Sequence, residues 1–359
     1  MADVLMVCST PFQLFNAIHI RETVLSMQKV DMYVLNISSI AEQLYMNIRN
    51  KSIFEHVFLV DVGITDYKYK YLYYLNRLTK LINGKKLLKE NFQYYKEVWI
   101  VGTEVFSKII YYELYKKNQK VKLFFYEEGI GTYINILTES HDKFRHHILN
   151  FLYGFDLFFK CEKCYVYQPK LVKSIWNNIE ICSIPRIDRR EKTSLFYVFD
   201  CEENNLNKDY FKKKKIFLTS NDPKYDREQK KIIDAMANTD VLLKMHPNQV
   251  DKYDNCKLTK MNGSGIEFIN LFHELSDCIL ISFLSTGCLT PKMIFGEEPR
   301  IIMLYKLLPD YKKIQPYFQE ILLQIKDLYE DKSKIIVPES EKEFLDLIGK
   351  TSTYENEKV

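Results

Sequence analysis

Residues 122–132 read KLFFYEEGIGT: the apolar run Leu123–Tyr126 ends in Glu127 and Glu128, and Gly129 and Gly131 follow closely. A short apolar run bounded by turn signals reads as a strand buried on both faces. The glycines permit a tight turn and a close backbone approach. Outward from this stretch the same unit recurs. Before it lie a helix-like segment at 104–117 and an apolar strand at 97–101. Earlier still come strands at 4–8, 32–36 and 57–60, with helices at 11–27, 40–49 and 66–88. Alternation of this kind predicts βαβ units and a parallel sheet. The Tyr-rich stretch 67–78 reads as packing rather than chemistry.

Residues 130–213 are less regular, with a helix expected at 141–152 and a strand at 165–166. The stretch 200–215 is polar and charged and reads as a linker. A second series follows: strands at 215–219, 241–245, 278–282 and 300–304, and helices at 227–237, 266–275 and 287–295. The expectation is therefore an α/β protein of two Rossmann-like parallel-sheet domains, 1–205 and 206–359, facing a cleft. In such sheets ligands bind at the carboxyl ends of the strands.

The 359 residues and the 47% apolar content suffice for two cores. The net charge is +4, with both signs interleaved, which argues against nucleic acid as a partner. The run Lys212–Lys215 reads as a solvated linker, with contact to an anionic membrane surface as the alternative. The eight cysteines are scattered and read as reduced thiols of a cytoplasmic protein. Cys161 and Cys164 form one CxxC pair, but no second pair or matching histidines accompany it, and His146-His147 is not a ligand spacing. No metal and no cofactor is expected. No signal peptide and no run of 18 apolar residues is evident, so a membrane span is not expected. Peripheral contact at the inner membrane face and a homodimer remain compatible with the chain.

Three stretches carry chemistry, and each has a plainer reading. Glu127 and Glu128, at a strand end, suit a general base, or form only a surface acidic turn. Lys244 and His246 share one face of a strand end and suit an anionic ligand such as a phosphate, or serve structure. Ser282, Ser285 and Thr286 close a buried strand and open a helix. They can cap that helix or present hydroxyls and N–H groups to an anion. Glu267 opens the preceding helix and can accept bonds from two ribose hydroxyls or complement the helix dipole.

Taken in order, Glu127-Glu128-Gly129, His246-Pro247 and the Cys8-Ser9-Thr10-Pro11-Phe12-Gln13 opening resemble glycosyltransferase family 52, the lipooligosaccharide and capsule sialyltransferases. The chain is more loosely similar to the bacterial polysialyltransferases and the marine-type sialyltransferases. The resemblance implies a GT-B fold and inverting transfer of sialic acid from CMP-sialic acid to a galactose-containing surface glycan or glycolipid. By position, Lys244 and Glu267 would hold the nucleoside. His246, Ser282, Ser285 and Thr286 would take the leaving phosphate, and Thr10, Gln13 and Gly129 would lie on the acceptor side. The base stays open. The marine-type comparison points to Glu127 or Glu128, and the family 52 comparison points to Asp222, with Asp226 in reserve. Other readings are a UDP-sugar hexosyltransferase, a CDP-glycerol-type phosphotransferase and a non-catalytic glycan-binding subunit.

Overall fold

The computed structural model describes residues 2–37, 41–62, 79, 84–88, 95–102, 104–133, 150–151, 154, 156–172, 179–191, 193–199, 215–220, 222–246, 253, 256–261, 265–311 and 316–350. The chain divides into two compact units, Met1–Phe199 and Asp200–Val359.

The first unit is built on a seven-stranded sheet. Its strands are β1 (Val4–Cys8), β2 (Val30–Leu35), β3 (Val57–Val60), β4 (Glu97–Ile100), β5 (Lys122–Tyr126), β6 (Cys161–Val166) and β7 (Glu180–Ser183), in the order β3-β2-β1-β4-β5-β6-β7. All six pairings are parallel. The interior strand β1 reads VLMVC and is buried along its whole length. That is the continuous apolar run a sheet covered on both faces requires. The order reverses between β1 and β4, which opens a topological switch point at their carboxyl ends.

The second unit repeats the plan with six strands. They are β8 (Lys215–Leu218), β9 (Val241–Lys244), β10 (Thr259–Met261), β11 (Ile279–Ser282), β12 (Arg300–Met303) and β13 (Ile335–Ile336), in the order β10-β9-β8-β11-β12-β13. These pairings are also parallel, and the switch point falls between β8 and β11. Both units are thus Rossmann-like, as the alternation predicts.

Several expectations need correction. The helix expected at 11–27 ends at Thr23, where the Arg21 guanidinium binds the Leu25 and Ser26 carbonyls and draws the chain out of the helix. The helix expected at 287–295 is a 3₁₀ turn, Thr286–Cys288, followed by a π-helical turn, Pro291–Phe295. Proline at the start of that second turn and Gly296 in the left-handed region after it confine it to one turn. Strands β7, β10 and β13 and the helices Ser194–Phe199, Pro316–Asp327 and Glu341–Lys350 add to the sequence expectation. Most of the helices expected at 66–88 and 141–152 lies outside the described residues. So do the Tyr-rich stretch 67–78, the His146-His147 pair, residues 200–214 of the linker, and Pro247.

Candidate functional site

In the second unit the switch point gathers the hydroxyls and the histidine. Strand β8 is followed by Thr219, whose backbone N–H donates to the Lys244 carbonyl at 3.1 Å. The Thr219 hydroxyl accepts the backbone N–H of His246 at 2.8 Å, so the end of β8 fixes the exit of β9. On the other flank of β8, the buried Ser282 hydroxyl donates to the Leu218 carbonyl at 3.0 Å and accepts the Ser285 N–H at 3.1 Å. Ser285 Oγ accepts the Gly287 N–H at 3.3 Å and caps the 3₁₀ turn. Only glycine fits at 287, because a Cβ there would stand 2.6 Å from Ile266 Cγ2. Strand ends β9, β8 and β11 therefore hold His246 and Ser285 through two hydroxyl clamps, Thr219 and Ser282.

His246 is half-buried. Burial, and then the neighbouring Lys244 charge, hold its pKa below the usual histidine value, so the resting imidazole is neutral at pH 7. An anion beside it would oppose both effects and draw a proton onto the ring. Lys244 is buried, and its ammonium donates to the Met245 carbonyl at 2.9 Å. Ser282 is fully buried, with its hydroxyl committed to the backbone. Its position is behind Ser285, as a brace. Thr286 is half-buried in the 3₁₀ turn that Ser285 caps. Glu267 lies in the first turn of the helix Ile266–Phe272, and its side chain is outside the described residues.

The loop after β8 carries the base candidates of this unit. The Ser220 N–H donates to Gln229 Oε1 at 2.7 Å, and Gln229 Nε2 returns a bond to the Ser220 carbonyl at 3.1 Å. The Ser220 hydroxyl accepts the Asp222 N–H at 3.2 Å. Asp222 is half-buried and pairs with Lys224, whose ammonium is 3.2 Å from Oδ2. Asp226 opens the helix Asp226–Ala235.

In the first unit the acidic motif is a clamp. The Glu127 carboxylate, 1% exposed, accepts the Tyr133 hydroxyl and, at 2.8 Å, the Tyr167 N–H. Its own carbonyl accepts Asn16 Nδ2 at 2.9 Å, and the Tyr167 hydroxyl donates to Asn16 Oδ1 at 3.1 Å. Burial raises the Glu127 pKa to about 7, against the opposing pull of its two donors. Gly129 takes φ 111°, where any side chain would be strained, and turns the chain into the 3₁₀ turn Ile130–Thr132. The half-buried Glu128 is fixed through its N–H, which donates to the Thr132 hydroxyl at 3.0 Å.

At the switch point of this sheet, Gln13 Oε1 accepts both the N–H and the hydroxyl of Ser9, at 2.7 and 2.8 Å. Thr10 caps the helix Pro11–Thr23 by accepting the Gln13 N–H at 3.2 Å. Thr10 and Gln13 thus shape the loop after β1. The Tyr126 hydroxyl reaches across β4 to the Val7 carbonyl at 2.6 Å. Asn16, Tyr133 and Tyr167 are the parts of this network that the motifs did not single out. A signal was present: Gln13, Asn16 and His19 are polar at three-residue steps on a helix face, and all three are buried. His19 Nε2 lies 2.8 Å from the Pro185 carbonyl, and its ring stacks on Tyr167.

The seven described cysteines are free, and burial holds the thiols of Cys161 and Cys164 protonated. Among the described residues no three His, Cys, Asp or Glu side chains group as a metal site. No helix among them is long and apolar enough to cross a membrane.

Residues 4–275 match the family model described as Alpha-2,8-polysialyltransferase (POLYST). The match includes Glu127-Glu128-Gly129, Asp222, Lys244 and His246 and ends before Ser285. A comparison with curated proteins gives no match. Among solved structures, TcCGT1 in complex with UDP is 10% identical with a TM-score of 0.55, covering 98% of this chain and 92% of that one. LpCGTa in complex with UDP is 8% identical with a TM-score of 0.56, covering 94% and 84%. The glycotransferase of kitacinnamycin is 11% identical with a TM-score of 0.51, covering 98% and 92%. At these identities the likeness is one of fold, the GT-B arrangement of two Rossmann-like units.

Proposed function

The chain belongs to the alpha-2,8-polysialyltransferase family, and on that premise we propose that it is an inverting sialyltransferase using CMP-sialic acid to extend a bacterial surface glycan. The second unit binds the donor. The observation that carries this reading is the pair of hydroxyl clamps, Thr219 to His246 and Ser282 to Ser285, on either side of β8. They hold an imidazole and a hydroxyl at the carboxyl edge where such sheets bind nucleotides.

In the reaction a carboxylate removes the proton of the acceptor hydroxyl as its oxygen attacks the anomeric carbon of the sialyl group. The bond to CMP breaks on the opposite face. His246, protonated once the donor phosphate lies beside it, gives that proton to the departing phosphate oxygen. Ser285 and Thr286 hydrogen-bond the same phosphate, and Lys244 and Glu267 face the nucleoside. No metal step is needed in this scheme. Asp222 is favoured as base over Glu127 because Glu127 is fully buried, whereas Asp222, although its carboxylate accepts the Lys224 N–H and pairs with the Lys224 ammonium, is partly open to solvent. Glu128 is the remaining candidate in the first unit, which takes the acceptor, with Thr10, Gln13 and Gly129 shaping its loops.

The sequence resemblance to family 52 implies a galactose end on the acceptor, whereas the family matched here favours an acceptor that already ends in sialic acid. Release of nucleotide from CMP-sialic acid, CDP-glycerol and UDP-sugars, each with lactose, sialyllactose or oligosialic acid, tests the proposal. CMP release only with CMP-sialic acid and one glycan is expected. Turnover of CDP-glycerol or a UDP-sugar instead would replace this reading with one of the alternatives.

A further inference from the structure

A serine stands just beyond the first strand of each unit, and a buried glutamine holds each serine by the same bond. After β1, the Ser9 N–H donates to Gln13 Oε1 at 2.7 Å. After β8, beyond Thr219, the Ser220 N–H donates to Gln229 Oε1 at 2.7 Å. The glutamines lie in the first turn of the helix that follows their strand, Pro11–Thr23 or Asp226–Ala235, and are 5% and 0% exposed. Both loops stand at the switch point of their sheet, with β1 beside β4 and β8 beside β11. The glutamine comes four residues after its serine in one unit and nine in the other, so the bond does not follow from a shared local sequence.

Gln229 has the more demanding place. It shares the buried face of its helix with Ile232 and Ile233, three and four residues on, where the pattern calls for another apolar side chain. An amide there loses water at both ends, and each end needs a partner. Oε1 takes the Ser220 N–H, and Nε2 donates to the Ser220 carbonyl at 3.1 Å. One side chain thus satisfies both backbone groups of one residue, as the facing residue of an antiparallel strand would.

The rest of the loop is built on Ser220. Its hydroxyl accepts the Asp222 N–H at 3.2 Å, and the Asp222 carbonyl accepts the Tyr225 N–H at 3.0 Å, where the helix begins. Thr219 and His246 are tied to each other and to β9 by bonds of their own. The amide of Gln229 therefore bears on Asp222 and leaves the histidine clamp to Thr219.

We propose that Gln229 is a positioning residue: from the interior of the second unit it sets the place of the loop that carries Asp222, and so of the carboxylate proposed as base. This role rests on Asp222 being that base. Gln229→Met keeps the length of the side chain and removes both polar ends. With CMP-sialic acid and whichever of lactose, sialyllactose and oligosialic acid supports turnover, it should lower kcat by about tenfold to a hundredfold, the scale on which a small misplacement acts. CMP affinity should stay within about twofold of wild type, because Thr219 still holds His246. In Gln229→Glu, a protonated carboxyl can accept and donate as the amide does, whereas an ionised one has no donor for the Ser220 carbonyl. The ratio of its kcat to that of wild type should therefore approach one at acid pH and drop as pH rises; a side chain that only fills space would give a flat ratio.

The double variant Asp222→Asn/Gln229→Met should be no slower than Asp222→Asn alone, because a residue that acts through Asp222 has nothing left to act on. Amide exchange needs no turnover: Gln229→Met should speed exchange at Asp222 by about tenfold and leave His246 unchanged. Wild-type kcat in Gln229→Met, equal losses of kcat and CMP affinity, multiplied losses in the double variant, or unchanged exchange at Asp222 would overturn the role and leave Asp222 as base. Wild-type kcat in Asp222→Asn would instead remove the base assignment, and the role with it.

Discussion

The Thr219 hydroxyl accepts the backbone N–H of His246 at 2.8 Å, so the end of one strand sets the direction in which the next delivers its histidine. Thr219→Val keeps the shape of a buried side chain and removes only the acceptor. The unsatisfied N–H costs about 1–3 kcal/mol. Transfer efficiency, kcat/KM, should fall by about tenfold, since roughly 1.4 kcal/mol of barrier is a factor of ten. An unchanged kcat/KM in a correctly folded Thr219→Val protein would remove the clamp from the mechanism.

His246→Ala should nearly abolish transfer and leave the fold intact. Loss of one preorganised contact to the developing charge commonly costs about 3 kcal/mol, a hundredfold or more in rate. Its melting temperature should stay close to that of wild type. Wild-type turnover in this variant would exclude His246 from the chemistry.

Binding of CMP should take up protons. Burial and Lys244 depress the pKa of free His246, and the bound phosphate should raise it. Between the two values the complex holds a proton that the free protein lacks. Affinity should therefore strengthen as pH falls, then level off below the depressed pKa. Calorimetry in buffers of different ionisation enthalpy would count the proton directly, and His246→Gln should abolish the uptake.

Glu127 makes a different prediction, one about stability. Its pKa moves from 4.5 to about 7 on folding, so the folded protein holds more protons than the unfolded chain between those limits. This contribution is complete below pH 4.5 and is lost as pH rises through about 7. A tenfold change in proton affinity corresponds to roughly 1.4 kcal/mol, so at most about 3 kcal/mol is at stake. Glu127→Gln retains an acceptor for Tyr133 and Tyr167 and carries no charge. Unfolding of the two proteins by denaturant across about pH 5–8 should show wild type losing stability relative to the variant as pH rises. Parallel curves would mean that Glu127 is ionised throughout.

The base is separable from the residues that hold it. Asp222→Asn should leave CMP affinity almost unchanged and cut kcat strongly, because a base acts in the chemical step and not in donor binding. If Asp222→Asn turns over normally and Glu128→Gln does not, the base lies in the acidic-Gly motif of the first unit.

Most of the fold can be read from the apolar runs, and the parts that cannot lie at the sheet margins. Strands β1, β5, β9 and β11 have buried runs and declare themselves. β7 reads EICS with half of it exposed, β10 has three residues and β13 two. All three are sheet edges, where one flank lacks a partner strand and a strand can be short and polar. The sites divide in the same way. The chemistry-bearing residue types stand at strand ends as the pattern expects, but a hydroxyl in a sequence does not say what it will bind. Ser282 reads as a ligand contact and is committed to the Leu218 carbonyl and the Ser285 N–H. Thr10 and Gln13 read as acceptor contacts and bond each other and Ser9. Glu127 reads as a general base or as part of a surface acidic turn, and it is buried against Tyr167, whose N–H it accepts forty residues further along the chain.

The placement of β1 in the interior of its sheet bears on how the chain is born. Its two neighbours are β2 and β4, and β4 does not begin until Glu97. At roughly 5–20 residues per second on the ribosome, the wait between Cys8 and Ile100 lasts on the order of five to twenty seconds. Throughout it the most apolar strand of the unit has one bare edge, the kind of template to which another unfolded chain can add. The second sheet repeats the delay, since β8 must wait for β11. A nascent polypeptide stalled in either interval would be sticky, so high-level expression should benefit from slow translation or from a chaperone that covers the open strand.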